Sequence, residues 1–385
     1  MFKFSILVAL FFSFSTFAAT KEQQYEVTAD SFGNIAYMNN RSDTTNFYSD
    51  ESRDVACKYK VFGKDIEYRR DGFDISGNPF LATRGGKTYL ICMSVNLDYS
   101  KGSIDFSLVR NGKLSEWKNI VNIDDGIPDK PVLAINENGD LALSYIDIKL
   151  NDKGLKTQLK LLFSKNEGTS WNLSKIKSSD STLDNVAFAN GEQGNYSWSE
   201  KEKFYLSVSY YEKAQVDLYE SLDNGFSYDL VDSIQFDKTS ENFEPPVTKP
   251  ILDKSNGLKA IILYFGHSFS QSLLFPFQNR IINKPIEISK SSTMLDGVFH
   301  RNQFYLLQSS LSNNIVQTKV KVWDESFSSV IFEKILSTES EYSENYYYGA
   351  YQKLLLKESE FEALFIDYSD FSQRLERVAI PFLFK

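Results

Sequence analysis

The sequence predicts an all-β chain built from repeated strand units, and three observations carry that prediction. Ser107, Ser164 and Ser221 stand at a constant separation, since 164 − 107 = 57 and 221 − 164 = 57, and a fixed period of this length marks repeated supersecondary units. A polar turn followed by an aliphatic and aromatic run recurs at residues 86–91, 139–145, 203–208, 259–264, 303–307 and 360–365, each reading as one buried strand. Helical periodicity is absent throughout, and 31 Phe with 22 Tyr suit strands packed face to face.

From the N-terminus, Lys3, the apolar run 4–14 and Ser15-Thr16-Phe17-Ala18-Ala19 form the three regions of a secretory signal peptide. Cleavage after Ala18 places small Thr16 three positions back, so the expected division is a signal peptide over 1–18 and a single domain over 19–385. The apolar run is short for a bilayer span and no later stretch replaces it, so an exported chain, secreted or periplasmic and without a transmembrane segment, is expected. The formal charge of −9 becomes −10 once Lys3 leaves. An acidic chain with no basic run is a poor partner for nucleic acid.

Cys57 and Cys92 are the two cysteines, and export favours a disulfide between them; two buried free thiols are the alternative. His267 and His300 are the two histidines, neither at ligand spacing from a cysteine, so a zinc site has no support.

The units themselves read in order. Residues 78–82 and 130–135 lead into buried strands and are the expected innermost strands of their units. After the sixth buried strand only one more fits, residues 374–384. The segment 25–66, with Gly33-Asn34-Ile35-Ala36-Tyr37, is expected to supply the missing outermost strand and so remove an open edge.

Two turns are nearly identical: Ser164-Lys165-Asn166-Glu167-Gly168-Thr169-Ser170-Trp171 and Ser221-Leu222-Asp223-Asn224-Gly225-Phe226-Ser227-Tyr228. An Asn or Asp side chain there can bond backbone N–H groups ahead of it, and Gly supplies a positive φ. The pattern S-x-[DN]-x-G-x-S-aromatic resembles the Asp box, or BNR repeat, of the sialidase-like β-propellers. Ser107 to Trp117 keeps the Ser, Gly112 and the Trp with an insertion. With six buried strands, the resemblance implies a six-bladed β-propeller of four-stranded antiparallel blades, its ring closed by the N-terminal segment. Ser164, Asn166, Gly168, Trp171, Ser221, Asp223, Gly225 and Tyr228 are then architectural.

The resemblance also says where a site belongs: the face formed by the links between blades. Active sialidases carry three Arg that clamp a carboxylate, a Tyr nucleophile paired with a Glu, and an Asp acid/base. The first clamp usually sits in an Arg-Ile-Pro run, and the corresponding run here is Gly77-Asn78-Pro79, without the Arg. The links 67–76, 121–129, 178–185, 236–247, 288–295 and 338–347 hold 14 Asp or Glu against 4 Lys or Arg, a balance that repels an anionic sugar. In the last unit Tyr346, Tyr347, Tyr348 and Tyr351 form an aromatic platform suited to a sugar ring. Tyr351, Glu344 and Asp125 are the catalytic candidates. Asp124, Asp125 and Asp129 could take Ca2+, without the spacing of a dedicated loop, and no other cofactor is expected. The reading is an exported propeller that binds a glycan or protein without catalysis; the alternative is a glycoside hydrolase, either a divergent exo-sialidase or a carboxylate-pair enzyme on neutral sugars.

Overall fold

A computed structural model describes residues 23–30, 32–40, 55–136, 138–151, 154–177, 204–210, 214–236, 246–253, 257–265, 269–339, 352–357, 360–367 and 374–382. No helix occurs among them, and every regular element is a strand.

The N-terminal sheet is a meander of β1 (Gln23–Ala29), β2 (Ile35–Asn40), β3 (Val55–Val61) and β4 (Lys64–Tyr68). The second sheet orders β5 (Ile75–Arg84), β6 (Lys87–Val95) and β7 (Lys101–Arg110), with β8 (Lys113–Leu114) and β9 (Lys118–Asp124) both paired to β7. The third orders β10 (Ile127–Ile135), β11 (Leu141–Asn151), β12 (Gly154–Ser164) and β13 (Asn172–Leu173). Next, β14 (Lys175–Lys177) runs parallel to the outer edge of a fourth sheet made of β15 (Phe204–Tyr210), β16 (Gln215–Ser221) and β17 (Ser227–Gln235).

An eight-stranded sheet follows. It contains β18 (Pro246–Asp253), β19 (Gly257–Phe265), β20 (Ser270–Gln278), β21 (Ile281–Ile282), β22 (Ile286–His300), β23 (Gln303–Ser312), β24 (Ile315–Trp323) and β25 (Val330–Glu339). The long β22 joins two meanders, because residues 286–292 pair with β20 and residues 292–300 pair with β23. The last sheet is β26 (Lys353–Leu356), β27 (Glu360–Asp367) and β28 (Arg374–Pro381).

Five of the six turn-and-run motifs fall on second strands of these meanders, β6, β11, β19, β23 and β27, and the sixth is β15, at the edge of its sheet among the described residues. They are buried on both faces, as in β6, where eight of nine residues are buried. Apolar clusters fill the spaces between sheets. Phe204, Leu206 and Val208 of β15 meet Ala142, Ile146 and Leu161 of the third sheet, and Tyr305 and Leu307 of β23 meet Phe361, Ala363 and Phe365 of β27.

The blade count and the role of the N-terminal segment differ from expectation. Among the described residues the segment adds no strand to β28 but folds on itself as β1–β4, so seven antiparallel units follow one another where six were expected. The physical reason lies in its turns. Gly33 sits at φ 82° in the β1–β2 turn, and Phe62 and Gly63, at φ 49° and 77°, close a tight β3–β4 hairpin, leaving four strands that satisfy one another. This unit packs with β1 against β26, β27 and β28 on one side and against β5 on the other.

Candidate functional site at the starts of the innermost strands

The first strands of successive units are neighbours: β1 packs on β5, β5 on β10, β18 on β22, and β22 on β26, which in turn meets β1. Three of them open on one phrase, Gly77-Asn78-Pro79-Phe80-Leu81, Asp129-Lys130-Pro131-Val132-Leu133 and Thr248-Lys249-Pro250-Ile251-Leu252. Proline has no N–H and is tolerated where the ladder is interrupted. In β5 and β10 the register shifts here, between Gly77 and Phe80 and between Asp129 and Val132. Asn78 and Lys130 take left-handed φ of 45° and 49°, a bulge geometry that re-aims a side chain.

In two of the three phrases the residue before the proline bonds to the next unit. Asn78 Nδ2 donates to Asp129 Oδ1 at 3.1 Å, and the Lys130 N–H donates to the same oxygen at 2.9 Å. On the other side, Lys249 Nζ lies 3.5 Å from Asp296 Oδ1 on β22, and Asp296 Oδ2 accepts from the Leu354 N–H of β26 at 2.7 Å. Lys249 is 1% exposed, and removing one member of a buried ion pair is costly to the other. Tyr99, at φ 63° in the β6–β7 turn, is half-buried against the same core. Burial, and secondarily the charge of Asp129, push its phenol up to about 12.

Farther out, Arg70 bonds the buried carboxylate of Asp105 on β7, and Tyr68 stacks on Trp117 with centroids 4.0 Å apart. Burial raises the Asp105 carboxyl above the usual range, an effect the Arg70 charge only partly offsets. Arg70 and Lys101 both approach the Phe73 ring, at 5.3 and 4.6 Å.

The two serine–glycine turns are built alike. Ser164 Oγ donates to Asn166 Oδ1 and accepts from the Gly168 N–H, both at 2.9 Å. Ser221 Oγ makes the same two bonds, to Asp223 Oδ1 and from the Gly225 N–H, at the same distances. Asp223 further accepts from the Ser227 N–H at 2.8 Å and Ser227 Oγ at 2.6 Å. The aromatics reach the preceding unit: Trp171 meets Phe106 edge-on at 5.7 Å, and Tyr228 is buried in the core. Glu167 is clamped by Lys87 and Arg110 of that unit. Asp324 organises a third turn of this kind without the glycine, accepting from the Ser328 N–H at 2.8 Å and from the hydroxyls of Ser328 and Ser329 at 2.7 Å each.

Of the residues singled out in the sequence, Tyr346, Tyr347, Tyr348, Tyr351 and Glu344 lie outside the described residues. Asp124 and Asp125 are exposed, Asp125 at φ 58° with its N–H bonded to Ser100 O, whereas Asp129 is buried against Asn78. Among the described residues no three His, Cys, Asp or Glu side chains gather to hold a metal. A Cβ at Gly77, the position of the first clamp, would meet Met38 Sδ at 2.6 Å, so a side chain there requires the Met38 side chain to shift. Asn78, Tyr99, Lys130, Lys249 and Asp296 were not foreseen as site residues. The recurring x-Pro phrase, with its third copy at 248–252, is the signal that marks three of them.

No family model matches the chain, and no curated protein does. Among solved structures it is similar to the β-propeller domain of the Trilobed protease from Pyrococcus furiosus, at 12% identity and TM-score 0.50, over 96% of this chain and all of that one. The chain folds as a β-propeller. It is likewise similar to an ulvan lyase of a polysaccharide lyase family, at 10% identity and TM-score 0.51, over 95% of this chain and 96% of that one. The NanB sialidase from Streptococcus pneumoniae aligns at 12% identity and TM-score 0.48 over 95% of this chain and 69% of that one. The likeness to sialidase-like propellers drawn from the two turns agrees with the fold. No helix among the described residues is long and apolar enough to cross a membrane.

Proposed function

We propose that this propeller is exported and recognises a glycan at the mouth formed by the starts of its innermost strands, without cleaving sialosides. The observation that carries the reading is the pair of bulges at Asn78 and Lys130, which strain two non-glycine residues into left-handed backbone beside a buried carboxylate. Such strain collects at functional sites, and amide, ammonium, carboxylate and phenol groups are the partners a polyhydroxylated ring requires. The acidic links disfavour an anionic sugar, and Gly77 stands where one clamp would need an Arg. The ulvan lyase relative was solved bound to a GlcA(1-4)Rha3S unit, which supports a saccharide as the class of ligand.

A glycan array read alongside reducing-sugar release tests this function. Retention without release supports a binding module. Release of a neutral sugar supports the carboxylate-pair hydrolase, and retention of protein ligands alone argues for a protein-binding role.

A further inference from the structure

Asp129 and Asp296 occupy the same kind of place, each on an innermost strand at a bulge and each accepting from the residue before the proline of the preceding β-propeller unit in the chain. They differ in their second oxygen. Asp296 Oδ2 is taken by the Leu354 N–H. Asp129 Oδ1 receives both of that residue's hydrogen bonds, from Asn78 and from its own neighbour Lys130, and Oδ2 accepts none among the described residues. Nor is Oδ2 one of the sealed, unpartnered atoms of the interior, so it keeps some contact with solvent in a residue only 7% exposed. A carboxylate oxygen held in place from behind and open in front is a preorganised acceptor, and leaving it without a donor in a closed complex is costly.

We propose that Asp129 Oδ2 is the ligand-facing acceptor of the mouth, taking a hydrogen bond from a ring hydroxyl of a neutral sugar, with Tyr99 of the β6–β7 turn as a second polar group of the mouth. This rests on the reading of the mouth as a glycan site. A neutral ring fits because an ionised carboxylate can only accept, which selects hydroxyl donors and rejects a uronate or sialate carboxylate at that position. Asn78 and the Lys130 backbone are positioning groups: they orient the carboxylate and leave its other oxygen for the ligand. The arrangement also accounts for the bulges, since an unbulged β10 has no extra residue to carry Asp129 toward Asn78.

The test is a panel of immobilised neutral cello-, xylo-, manno-, galacto- and arabino-oligosaccharides, with sialyl and uronyl oligosaccharides beside them, probed with the full exported chain. Neutral glycans are expected to be retained, and Asp129→Asn, which keeps size and places an amide at the open position, should lower affinity for the retained glycan at least tenfold with an unchanged melting temperature. Tyr99→Phe provides a second reading that leaves the carboxylate in place, with a smaller loss expected. Retention of acidic glycans alone, or of none, overturns the proposal. If Asp129→Asn binds as tightly as the parent while Lys130→Trp, folded by melting but bulky in the mouth, loses binding, Oδ2 is not the acceptor and the mouth reading survives. Binding indifferent to both changes overturns the mouth reading too. Should Asp129→Asn melt early, Tyr99→Phe with undiminished affinity for every retained neutral glycan overturns the proposal on its own.

Discussion

Cys57 on β3 and Cys92 on β6 are joined by a disulfide that crosses from the N-terminal sheet to its neighbour. Both are fully buried, and the bridge spans 35 residues of sequence. In the chain-entropy model a loop of that size contributes about 3–4 kcal/mol. Replacing both residues by Ala should lower the unfolding free energy by an amount of that order, read as a shifted denaturant midpoint, and thiol counting on the denatured, unreduced parent should find none. A free thiol, or an unmoved midpoint, contradicts the bridge.

The N-terminal unit is also part of the core, since Met38 and Val55 share a cluster with Ile75, Met93 and Val95. Deleting residues 20–68 therefore strips cover from the second sheet and removes the neighbour of β26 and β28. The truncated chain should aggregate or unfold without a sharp transition. A truncation that melts as cooperatively as the parent shows that the unit is dispensable.

Two glycines in similar turns separate backbone strain from packing. Gly168 has φ 77° and a Cβ there would meet the Phe106 ring at 2.3 Å, whereas Gly139, at φ 83°, has open space around it. Gly139→Ala should cost about 1 kcal/mol, the left-handed backbone alone. Gly168→Ala should cost about 2–4 kcal/mol, because overpacking adds to that strain. Equal losses by chemical denaturation would mean the Phe106 ring moves aside freely.

How much of this was legible varies with the range of the interaction. The six buried strands were readable because a double-faced burial writes a continuous apolar run, as in Tyr89-Leu90-Ile91-Cys92. The two complete turns were readable because the bonds that shape them are local, within four residues of Ser164 or Asp223. The seventh unit was harder: β2 ends in Asn39-Asn40, and β4, Lys-Asp-Ile-Glu-Tyr, is half charged, so neither strand stands out as apolar. The turn at Asp324 has Ser326 where the other two have glycine, and its positive φ, 56°, falls on Phe327, so no glycine announces it. The bond from Asn78 to Asp129 joins residues 51 apart, and no local pattern reports it, although the repeated x-Pro phrase marks both strands.

Asp324 gives a pH-dependent stability with a definite sign. The Ser328 hydroxyl, then the Ser329 hydroxyl and the Ser328 N–H, hold its carboxyl far below the usual range. A folded-state pKa depressed in this way contributes stability that is present above the ordinary Asp value of about 4 and is lost as pH falls from there through the folded value. Asp324 is only partly buried, so the contribution is screened by salt. Asp324→Asn should be less stable than the parent at pH 7, with the gap narrowing by pH 2. A gap that is constant across that range removes the carboxylate from the explanation.

The last prediction concerns sialosides, and it follows from the packing at Gly77. A guanidinium clamp needs an Arg at the start of an innermost strand, aimed into the mouth, because its planar fork matches a carboxylate in two parallel bonds. A Cβ at Gly77 would stand 2.6 Å from Met38 Sδ, so Met38, part of the core between the first two units, would have to move to admit one. The sequence places no Arg there, and the N-terminal unit crowds the position through Met38. Hydrolysis of a fluorogenic sialoside should be undetectable in the parent, and Gly77→Arg should destabilise the fold without creating activity. If the parent does hydrolyse the sialoside, and Tyr351→Phe or Glu344→Gln abolishes the reaction without lowering the melting temperature, the chain is an enzyme that clamps its substrate through other groups. Inactivity on sialosides together with release of a neutral sugar would instead move the chemistry to carboxylates, and Asp129, with one oxygen pinned and one open, is the described residue at which to look for it.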